Sequence, residues 1–424
     1  GKYSHLIIEL MFVIMLVKEA NMGLGRIIFH IDVNSAFLSW EAVYRLYHLG
    51  GKVDLREEVS AVGGDMAMRH GIILAKSIPA KKYGIRTGEP VVNAFRKCPK
   101  LVMASPDHKL YSQYSKRLME FLRSYTPVIE QVSVDECYMD FTENLKDYHS
   151  PVEGAMEIKN EVYRRFGFTV NVGISTNKLL AKMASDFEKP NKVHTLFPEE
   201  IQIKMWPLPV SELYMAGHSS VETLGKLGIF TIGELAVMDP KLLELHLKSH
   251  GRRLWEFANG IGASVVETEQ AEAKGIGNSV TLSKDALTEE EAREVLKGLA
   301  ASVGRRLRAA GQKAKMLSVE IKYHNFETAS HQKQLTSGTN QDEEICGEAV
   351  MLFQELWNGK PIRLLGIRSS KLAEEGEPEQ LTIFDPQFQF DPMKEKKKRI
   401  NQALEKVRRK YGEGIVTRGI EIDL

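Results

Sequence analysis

The sequence predicts a multidomain α+β protein. Two stretches alternate strands and helices in the order β-α-β-β-α-β, and the first carries an insertion between its first helix and its second strand. A stretch that is helical throughout and punctuated by glycines separates them. The chain has 424 residues, which is too long for one ordinary hydrophobic core, so three or four domains are expected.

The composition is that of a globular protein, with 43% hydrophobic and 27% charged residues. The net charge of +1 neither indicates nor excludes a nucleic-acid partner, because acids elsewhere can balance one basic face. Cys98, Cys137 and Cys346 are scattered without metal-binding spacing, which predicts a reducing, cytoplasmic location. The apolar run over 6–17 is shorter than the roughly 20 residues that span a bilayer, so no membrane association is expected. Residues 1–25 are predicted to be an extension outside the fold.

The elements of the first pattern follow from local residue patterns. The apolar, β-rich run over 26–33 predicts a strand that is buried on both faces and ends in a carboxylate. A helical pattern over 35–49 stops at paired glycines, and residues 107–126 predict an amphipathic helix. The other elements are predicted as short strands and turns over 59–85, a strand pair over 128–141, a helix over 152–166, a strand over 169–174 and a helix over 179–187.

The second half of the chain is predicted in the same way. Residues 211–262 are expected to be helical, and residues 274–372 repeat the β-α-β-β-α-β pattern without matching sequence. Residues 373–391 are rich in Glu, Pro and Gln, which predicts a linker. A basic amphipathic helix is expected over 393–411.

Three carboxylates are the main candidates for chemistry. Asp32 ends the first predicted strand, while Asp135 and Glu136 are adjacent within the strand pair. A buried carboxylate is unfavourable unless it is paired or binds a metal, and an oxygen-rich site suits Mg²⁺. In a regular strand Asp135 and Glu136 would point to opposite faces, so a shared site requires a turn or kink between them. Solvated carboxylates at strand ends are the alternative.

Three segments together resemble the core motifs of the Y-family (translesion) DNA polymerases, of the bacterial DNA polymerase IV and V type. They are Asp32–Phe37 (DVNSAF), Ser133–Glu136 (SVDE) and Ser185–Asn191 (SDFEKPN). Gly173–Lys182 (GISTNKLLAK) fits the stretch before the third motif. The resemblance extends from about residue 26 to residue 372.

The resemblance implies a ferredoxin-like palm with fingers, a helix-hairpin-helix thumb and a β-α-β-β-α-β little finger. It also implies addition of deoxynucleotides to a primer 3′ end, bypass of damaged template, low processivity and no proofreading. The implied bounds are 1–25 for the extension, 26–36 and 105–198 for the palm, 37–104 for the fingers, 199–268 for the thumb, 269–275 for a linker, 276–372 for the little finger, and 373–424 for a second linker with the basic helix.

The resemblance also implies roles for single residues at the catalytic centre. Asp32, Asp135 and Glu136 would be the catalytic carboxylates. Together with the backbone carbonyl of Val33 they would hold two Mg²⁺ ions, for which Mn²⁺ could substitute. Phe37 would be the steric gate that excludes a ribose 2′-hydroxyl, since a rigid ring in a packed site is hard to displace. The alternative for Phe37 is ordinary packing in a helix core.

Further residues would bind the incoming nucleotide. Lys189 would contact the triphosphate as a point charge, and a plain surface lysine is the alternative. Lys81 stands where many relatives carry an arginine, and it keeps the charge without the bidentate fork. Ile78 stands where a tyrosine is common and cannot form a hydrogen bond. Ala36 replaces a common aromatic residue, which predicts a roomier pocket for the base.

Two regions resemble DNA-binding parts of the family. Gly217–Gly225 and Leu227–Leu235 resemble the turn and second helix of a helix-hairpin-helix, which would bind phosphate through backbone N–H groups near Gly217. The usual paired glycines are incomplete, so a plain helix turn is the alternative. In the little finger, strand charges would track phosphates, unless they form only a solvated face. These charges are Lys313, Lys315, Lys322 and Lys333.

The segment Gln380–Phe384 (QLTIF) resembles the peptide by which bacterial DNA polymerases dock on the sliding clamp. Leu381, Ile383 and Phe384 would be apolar anchors in a polar, acidic linker, with Gln380 beside them. Packing onto the protein's own surface is the alternative. The expected partners are therefore primer–template DNA, a deoxynucleoside triphosphate and a sliding clamp, and the protein is expected to be a monomer.

Two other functions remain open from the sequence. A nucleotide cyclase can share a ferredoxin-like palm and two-metal chemistry, but it would not need the thumb-like hairpin or the clamp-like peptide. A non-catalytic DNA-binding or recruitment protein would not need Asp32, Asp135, Glu136 and Lys189. Primer extension separates both alternatives from a polymerase.

Overall fold

The computed structural model describes residues 25–65, 71–269 and 273–374, together with positions 399, 400, 403, 404, 407 and 410. The chain divides into two compact units, Gly1–Ala271 and Glu272–Leu424. The described positions beyond residue 398 are helical, as the basic C-terminal pattern predicts. The clamp-like peptide and, except for residue 25, the predicted extension over 1–25 lie outside the described residues.

The secondary structure follows the predicted order over most of the chain, but the helices Ile78–Lys82 and Val91–Lys97 and the strand Val193–Thr195 were not predicted. The strands are β1 Ile28–Val33, β2 Ser60–Gly63, β3 Ile73–Lys76, β4 Val102–Ala104, β5 Ile129–Gln131, β6 Glu136–Asp140, β7 Val170–Ser175, β8 Val193–Thr195, β9 Gly275–Ala286, β10 Gln312–Tyr323, β11 Thr328–Thr339 and β12 Ile362–Glu374. The α-helices are α1 Ala36–His48, α2 Ile78–Lys82, α3 Val91–Lys97, α4 His108–Leu122, α5 Pro151–Phe166, α6 Lys178–Ser185, α7 Ile201–Lys204, α8 His218–Lys226, α9 Ile232–Ala236, α10 Pro240–Leu247, α11 Ser249–Ala258, α12 Glu289–Ala309 and α13 Asp342–Leu356. The 3₁₀ turns are Thr142–Asp147, Pro198–Glu200 and Val210–Glu212.

The first unit is built on a five-stranded sheet with the order β5-β6-β1-β7-β8. Strand β1 lies in the middle and pairs antiparallel with both β6 and β7, which is the ferredoxin-like arrangement that the sequence predicts. All six residues of β1 are buried because helices cover both faces of the sheet. Helices α1, α4 and α5 pack on one face, while α6 packs on the other through Ala181.

Helix α6 approaches the sheet closely at Gly173 on β7. A Cβ atom at this position would collide with the backbone of Ala181 and of Ser185, both on α6. Only glycine therefore permits this spacing between the helix and the strand. The consequence for function is that side chains on α6 reach the face of β1 that carries Asp32.

Two smaller regions complete the first unit. Residues between α1 and α4 form the inserted sheet β3-β2-β4 with its own apolar core. Helices α7 to α11 form a helical region around a separate core. Within this region Gly217 is the N-cap of α8, and a turn at Gly228 with a φ of 76° joins α8 to α9. The segment expected to supply one turn and one helix thus forms two short helices.

The second unit has the predicted β-α-β-β-α-β order of elements, with the sheet order β11-β10-β12-β9. Helices α12 and α13 pack against one face of this sheet. The strand order differs between the two sheets. In the second sheet the last strand of the pattern, β12, is central, whereas in the first sheet the first strand, β1, is central. The shared sequence pattern therefore sets the order of the elements and not their pairing. In the described part of the chain, no helix is both long enough and apolar enough to cross a bilayer.

Candidate active site

A cleft of about 580 Å³ lies between the C-terminal end of β1 and the inserted sheet. Residues that the sequence predicts for one site line this cleft, and they come from four separate stretches of the chain. The predicted residues that line it are Asp32, Val33, Ala36, Phe37, Ile78, Lys81, Asp135 and Lys189. Two further cations line the cleft, Lys76 on β3 and Arg56 before β2. The cleft therefore offers carboxylates on one wall and positive charges around it.

The three carboxylates lie near the junction of β1 and β6, where Asp32 and Asp135 line the cleft and Glu136 does not. Asp32 lies directly opposite Glu136 in the antiparallel register, so both side chains are on the same face of the sheet. The chain bends at Ser133 to Asp135, just before β6 begins, which supplies the kink that a shared site requires. The bend is fixed by a hydrogen bond from Val33 N to the Asp135 carbonyl at 2.9 Å.

Electrostatics at Asp135 favours a bound cation. Burial raises the pKa of this carboxyl, and the negative charges of Asp32 and Glu136 raise it further. A hydrogen bond donated by Ser133 Oγ at 2.6 Å acts in the opposite direction. A positive ion placed between the carboxylates would relieve this repulsion.

Glu136 differs from its two neighbours, because its carboxylate already has partners within the protein. Its Oε2 lies 3.1 Å from Nε2 of His30 and 3.2 Å from Nζ of Lys182. The His30 hydrogen bond and then the charge of Lys182 lower the pKa of Glu136 to about 2, against the effect of burial. Burial in turn lowers the pKa of His30, whose Nδ1 lies 2.7 Å from Ser185 Oγ.

Lys189 is drawn into the cleft by two carboxylates. Its ammonium forms an ion pair with Asp32 and another with Asp186 at 2.9 Å. Burial lowers the pKa of Lys189, but the two carboxylates outweigh burial and the net shift is upward. The structure thus places Lys189 beside Asp32, as the third motif predicts for a site residue.

The donor set fits a hard divalent cation in its chemistry. Asp32 and Asp135 present oxygen ligands to one cleft, and the Val33 carbonyl belongs to the same strand end. Among the described residues, no group of three or more His, Cys, Asp or Glu side chains is arranged so that it could hold a metal ion. Lys189 forms an ion pair with Asp32, while Lys182 and His30 contact Glu136. Ligation by all three carboxylates stays a prediction.

Phe37 forms an aromatic wall of the cleft. Its ring stacks on Tyr111 of α4 with centroids 4.7 Å apart and planes inclined by 17°. The Tyr111 hydroxyl donates a hydrogen bond to Glu41 at 3.1 Å, which fixes the ring beneath Phe37. Phe37 therefore packs on Tyr111 and also lines the cleft. Lys81 and Ile78 of α2 also line the cleft and contribute one charge and one apolar side chain.

The predicted DNA contacts lie in both units. Gly217 caps the N-terminus of α8 in the first unit. In the second unit, Leu317, Val319 and Ile321 of β10 pack on the helices, so Lys322 lies on the opposite face of the sheet. Lys313 and Lys315 stand an odd number of positions from Lys322, so alternation does not place them on the face of Lys322. On β11, Lys333 lies opposite Leu317 and pairs with Glu348 of α13 at 2.9 Å, which places it on the helix side. Contact of these lysines with phosphate stays a prediction.

Some residues of the site could not be identified from sequence motifs. His30, Lys182 and the buried asparagines Asn34 and Asn171 hold the functional side chains, and sequence reasoning missed their roles. A signal did exist for His30, because a residue two positions before Asp32 shares its face of a strand. The clamp-like residues Gln380, Leu381, Ile383 and Phe384 lie outside the described residues, so their role stays a prediction.

The comparisons with known proteins agree with this fold. Residues 31–186 match the model of the impB/mucB/samB family, and residues 273–383 match the model of its C-terminal domain. The chain therefore belongs to the impB/mucB/samB family.

Its relatives extend over nearly the whole chain. A protein of Clostridium acetobutylicum named DNA polymerase IV is 43% identical over 400 residues, covering 94% of this chain and 99% of the relative. A protein of Bacillus subtilis named DNA polymerase IV 1 is 38% identical, covering 94% of this chain and 93% of the relative. Among solved structures, a Y-family DNA polymerase chimera has a similar fold, with a TM-score of 0.72. At 21% identity, covering 82% of this chain and 99% of the chimera, this likeness concerns the fold alone.

Proposed function

We propose that the protein is a template-directed DNA polymerase of the translesion type, which adds deoxynucleotides to a primer 3′ end. The observation that carries the proposal is the cleft, where Asp32 and Asp135 meet Phe37 and Lys189. Full-length relatives named DNA polymerase IV support a polymerase over a nucleotide cyclase or an inert DNA-binding protein.

The residues of the site have separate roles in this reaction. Asp32, Asp135, Glu136 and the Val33 carbonyl would hold two Mg²⁺ ions, or Mn²⁺ in their place, which supply charge neutralisation for phosphoryl transfer when bound. The remaining residues act directly on the nucleotide.

Lys189 and Lys81 attract the triphosphate, which carries the largest charge on the incoming nucleotide. Phe37, supported by Tyr111, excludes a ribose 2′-hydroxyl because the stacked rings cannot retreat into the packed core. Ala36 and Ile78 leave the cleft less crowded than aromatic residues would, which favours damaged or misaligned bases.

The other regions serve the DNA substrate. In this proposal the five-stranded sheet is the palm, residues 37–104 are the fingers, residues 199–268 are the thumb, and residues 276–372 are the little finger. The N-terminus of α8 at Gly217 and the β10 residues Lys313, Lys315 and Lys322 bind phosphates without reading sequence. The proposal includes low processivity, no proofreading, a monomeric state and a cytoplasmic location.

A sliding clamp is the proposed partner that offsets low processivity. Gln380, Leu381, Ile383 and Phe384 would dock as an extended peptide, with the apolar side chains in pockets of the clamp. Tethering raises the effective concentration of the polymerase at the primer end and leaves the chemical step unchanged.

Primer extension with Asp135→Asn tests the catalytic assignment. Incorporation of a single nucleotide should fall by orders of magnitude, while primer–template binding stays at the wild-type level. Asp147→Asn is the matched control, because Asp147 is an exposed carboxylate in the 3₁₀ turn after β6. Near-normal turnover by Asp135→Asn would overturn the assignment.

A further inference from the structure

The loop that carries Lys189 is fastened by buried amides. The loop follows α6 and leads to β8, and Lys189 is near its centre. Asn171, on the neighbouring strand β7, is completely buried and faces this loop. The position of the Lys189 ammonium depends on this loop, because the lysine stem starts from its backbone.

The Asn171 side chain forms four hydrogen bonds, the full capacity of an amide. Its Nδ2 donates to the carbonyls of Ser185 and Glu188 at 3.0 and 2.7 Å, before Lys189. Its Oδ1 accepts from the backbone N–H of Lys192 at 3.1 Å, after Lys189, and from Asn34 Nδ2 at 3.1 Å. One side chain thus clamps the loop on both sides of the lysine.

Asn34 extends this network to the catalytic strand. Its Oδ1 accepts hydrogen bonds from Thr169 Oγ1 and from the backbone N–H of Asn191, both at 2.9 Å. Asn34 is buried and comes two residues after Asp32. The network therefore joins the end of β1, where Asp32 lies, to the loop that carries Lys189.

We propose that Asn34 and Asn171 are positioning residues for Lys189 and thereby set the affinity of the cleft for the triphosphate of the incoming nucleotide. The proposal rests on the proposed function, in which Lys189 binds the triphosphate. An ammonium attracts phosphate as a point charge, and this attraction depends on distance. The ammonium pairs with Asp32 and Asp186 in this structure, and a loop released on either side of Lys189 would no longer hold the lysine stem at this place in the cleft, where the triphosphate is expected.

The amide group itself is required at position 171. An aspartate there would keep the two acceptor interactions but lose both donors, and it would bury a charge beside two carbonyls. Serine or alanine would leave the carbonyls of Ser185 and Glu188 without this partner.

The test measures nucleotide binding and turnover in Asn171→Ala. KM for the deoxynucleotide should rise about tenfold or more, while kcat stays within about threefold, because the loop determines binding and not the reacting carboxylates. The Kd of nucleotide for a complex with a dideoxy-terminated primer, in which no reaction occurs, should rise by the same factor. Asn34→Ala keeps three of the four Asn171 bonds and should give a smaller rise in the same direction, which provides a second measurement if Asn171→Ala fails to fold.

Asn259→Ala is the matched control. The Asn259 amide also donates two hydrogen bonds to carbonyls, those of Ala236 and Trp255, both at 3.0 Å, but it lies in the helical region. Its nucleotide Kd should match the wild type. An equal rise in the nucleotide Kd of Asn171→Ala and of Asn259→Ala would mean a general loss of stability and would overturn the proposal.

A double mutant separates this inference from the proposed function. If Asn171 acts through Lys189, Asn171→Ala should add nothing to the rise in Kd caused by Lys189→Ala. If the rise in Kd of the double mutant equals the product of the two single-mutant rises, the positioning role is overturned. A raised Kd in Lys189→Ala with an unchanged Kd in Asn171→Ala would overturn this inference alone. An unchanged Kd in Lys189→Ala would overturn the triphosphate contact of the proposed function itself.

Discussion

Replacement of Lys182 by methionine should weaken the first unit in a way that depends on pH. The Lys182 ammonium lies 3.2 Å from Glu136 and 3.3 Å from Asp186, and its side chain is only 15% exposed. Methionine keeps most of the apolar stem and removes the charge. Glu136 would then keep His30 as its remaining hydrogen-bond partner.

The size of the effect follows from the pKa of Glu136, which falls from its ordinary value near 4.5 to about 2. At about 1.4 kcal/mol per pKa unit, this shift corresponds to at most about 3–4 kcal/mol of stability. His30 is the larger cause and Lys182 a smaller one, and the Glu136 side chain is 24% exposed. We therefore expect Lys182→Met to lose about 1–2 kcal/mol, or about 2–8 °C in the midpoint of thermal unfolding.

The sign of the pH dependence is fixed by the direction of the shift. Because the folded-state pKa of Glu136 lies below its unfolded value, its contribution is complete above about pH 4.5 and is lost as the pH falls toward 2. The difference between wild type and Lys182→Met should therefore be largest near pH 7 and shrink near pH 3.

Thermal unfolding in a metal chelator at both pH values measures this difference. Lys192→Met is the matched control, since the Lys192 ammonium lies 3.5 Å from Glu188 and both side chains are about half exposed or more. An exposed pair of this kind contributes about 0–1 kcal/mol. Equal losses in the two variants, or a Lys182→Met loss that is the same at both pH values, would refute the reasoning.

Two further predictions concern substrate choice and partner binding. Phe37→Ala should raise the ratio of kcat/KM for ribonucleotides to kcat/KM for deoxynucleotides, and an unchanged ratio would mean that Phe37 serves packing alone. Leu381→Ala combined with Phe384→Ala should abolish stimulation by the sliding clamp while single-nucleotide incorporation without the clamp stays intact. Equal stimulation of this double mutant and the wild type would contradict clamp docking through this peptide.

Local patterns in the sequence predicted the first sheet well. The run over 26–33 predicts a doubly buried strand, and β1 is buried at every position because α6 covers the face that the other helices leave open. The amphipathic helix expected over 107–126 is present as His108–Leu122, and its N-terminus is capped by the Asp107 side chain. Burial periodicity and capping are local properties, so the sequence reveals them directly.

The supporting residues of the site could not be predicted in this way. His30 meets Glu136 across 106 positions of the chain, and Asn34 meets Asn171 across 137. A periodic pattern within one segment does not indicate which residue of a distant segment it will contact. The two β-α-β-β-α-β stretches show the same limit, since similar element orders lead to different strand orders in the two sheets.

The close approach at Gly173 has a consequence for the mutational tolerance of the site. Position 173 carries no functional group, yet a single methyl group there would push α6 away from β7. Helix α6 carries Lys182 and Ser185 and leads into the loop with Lys189, so that displacement would reach Glu136 and the proposed triphosphate contact together. A variant of Gly173 that keeps every charged residue should therefore still lose catalytic activity. A survey of tolerated substitutions should find position 173 as intolerant of change as the positions of the carboxylates.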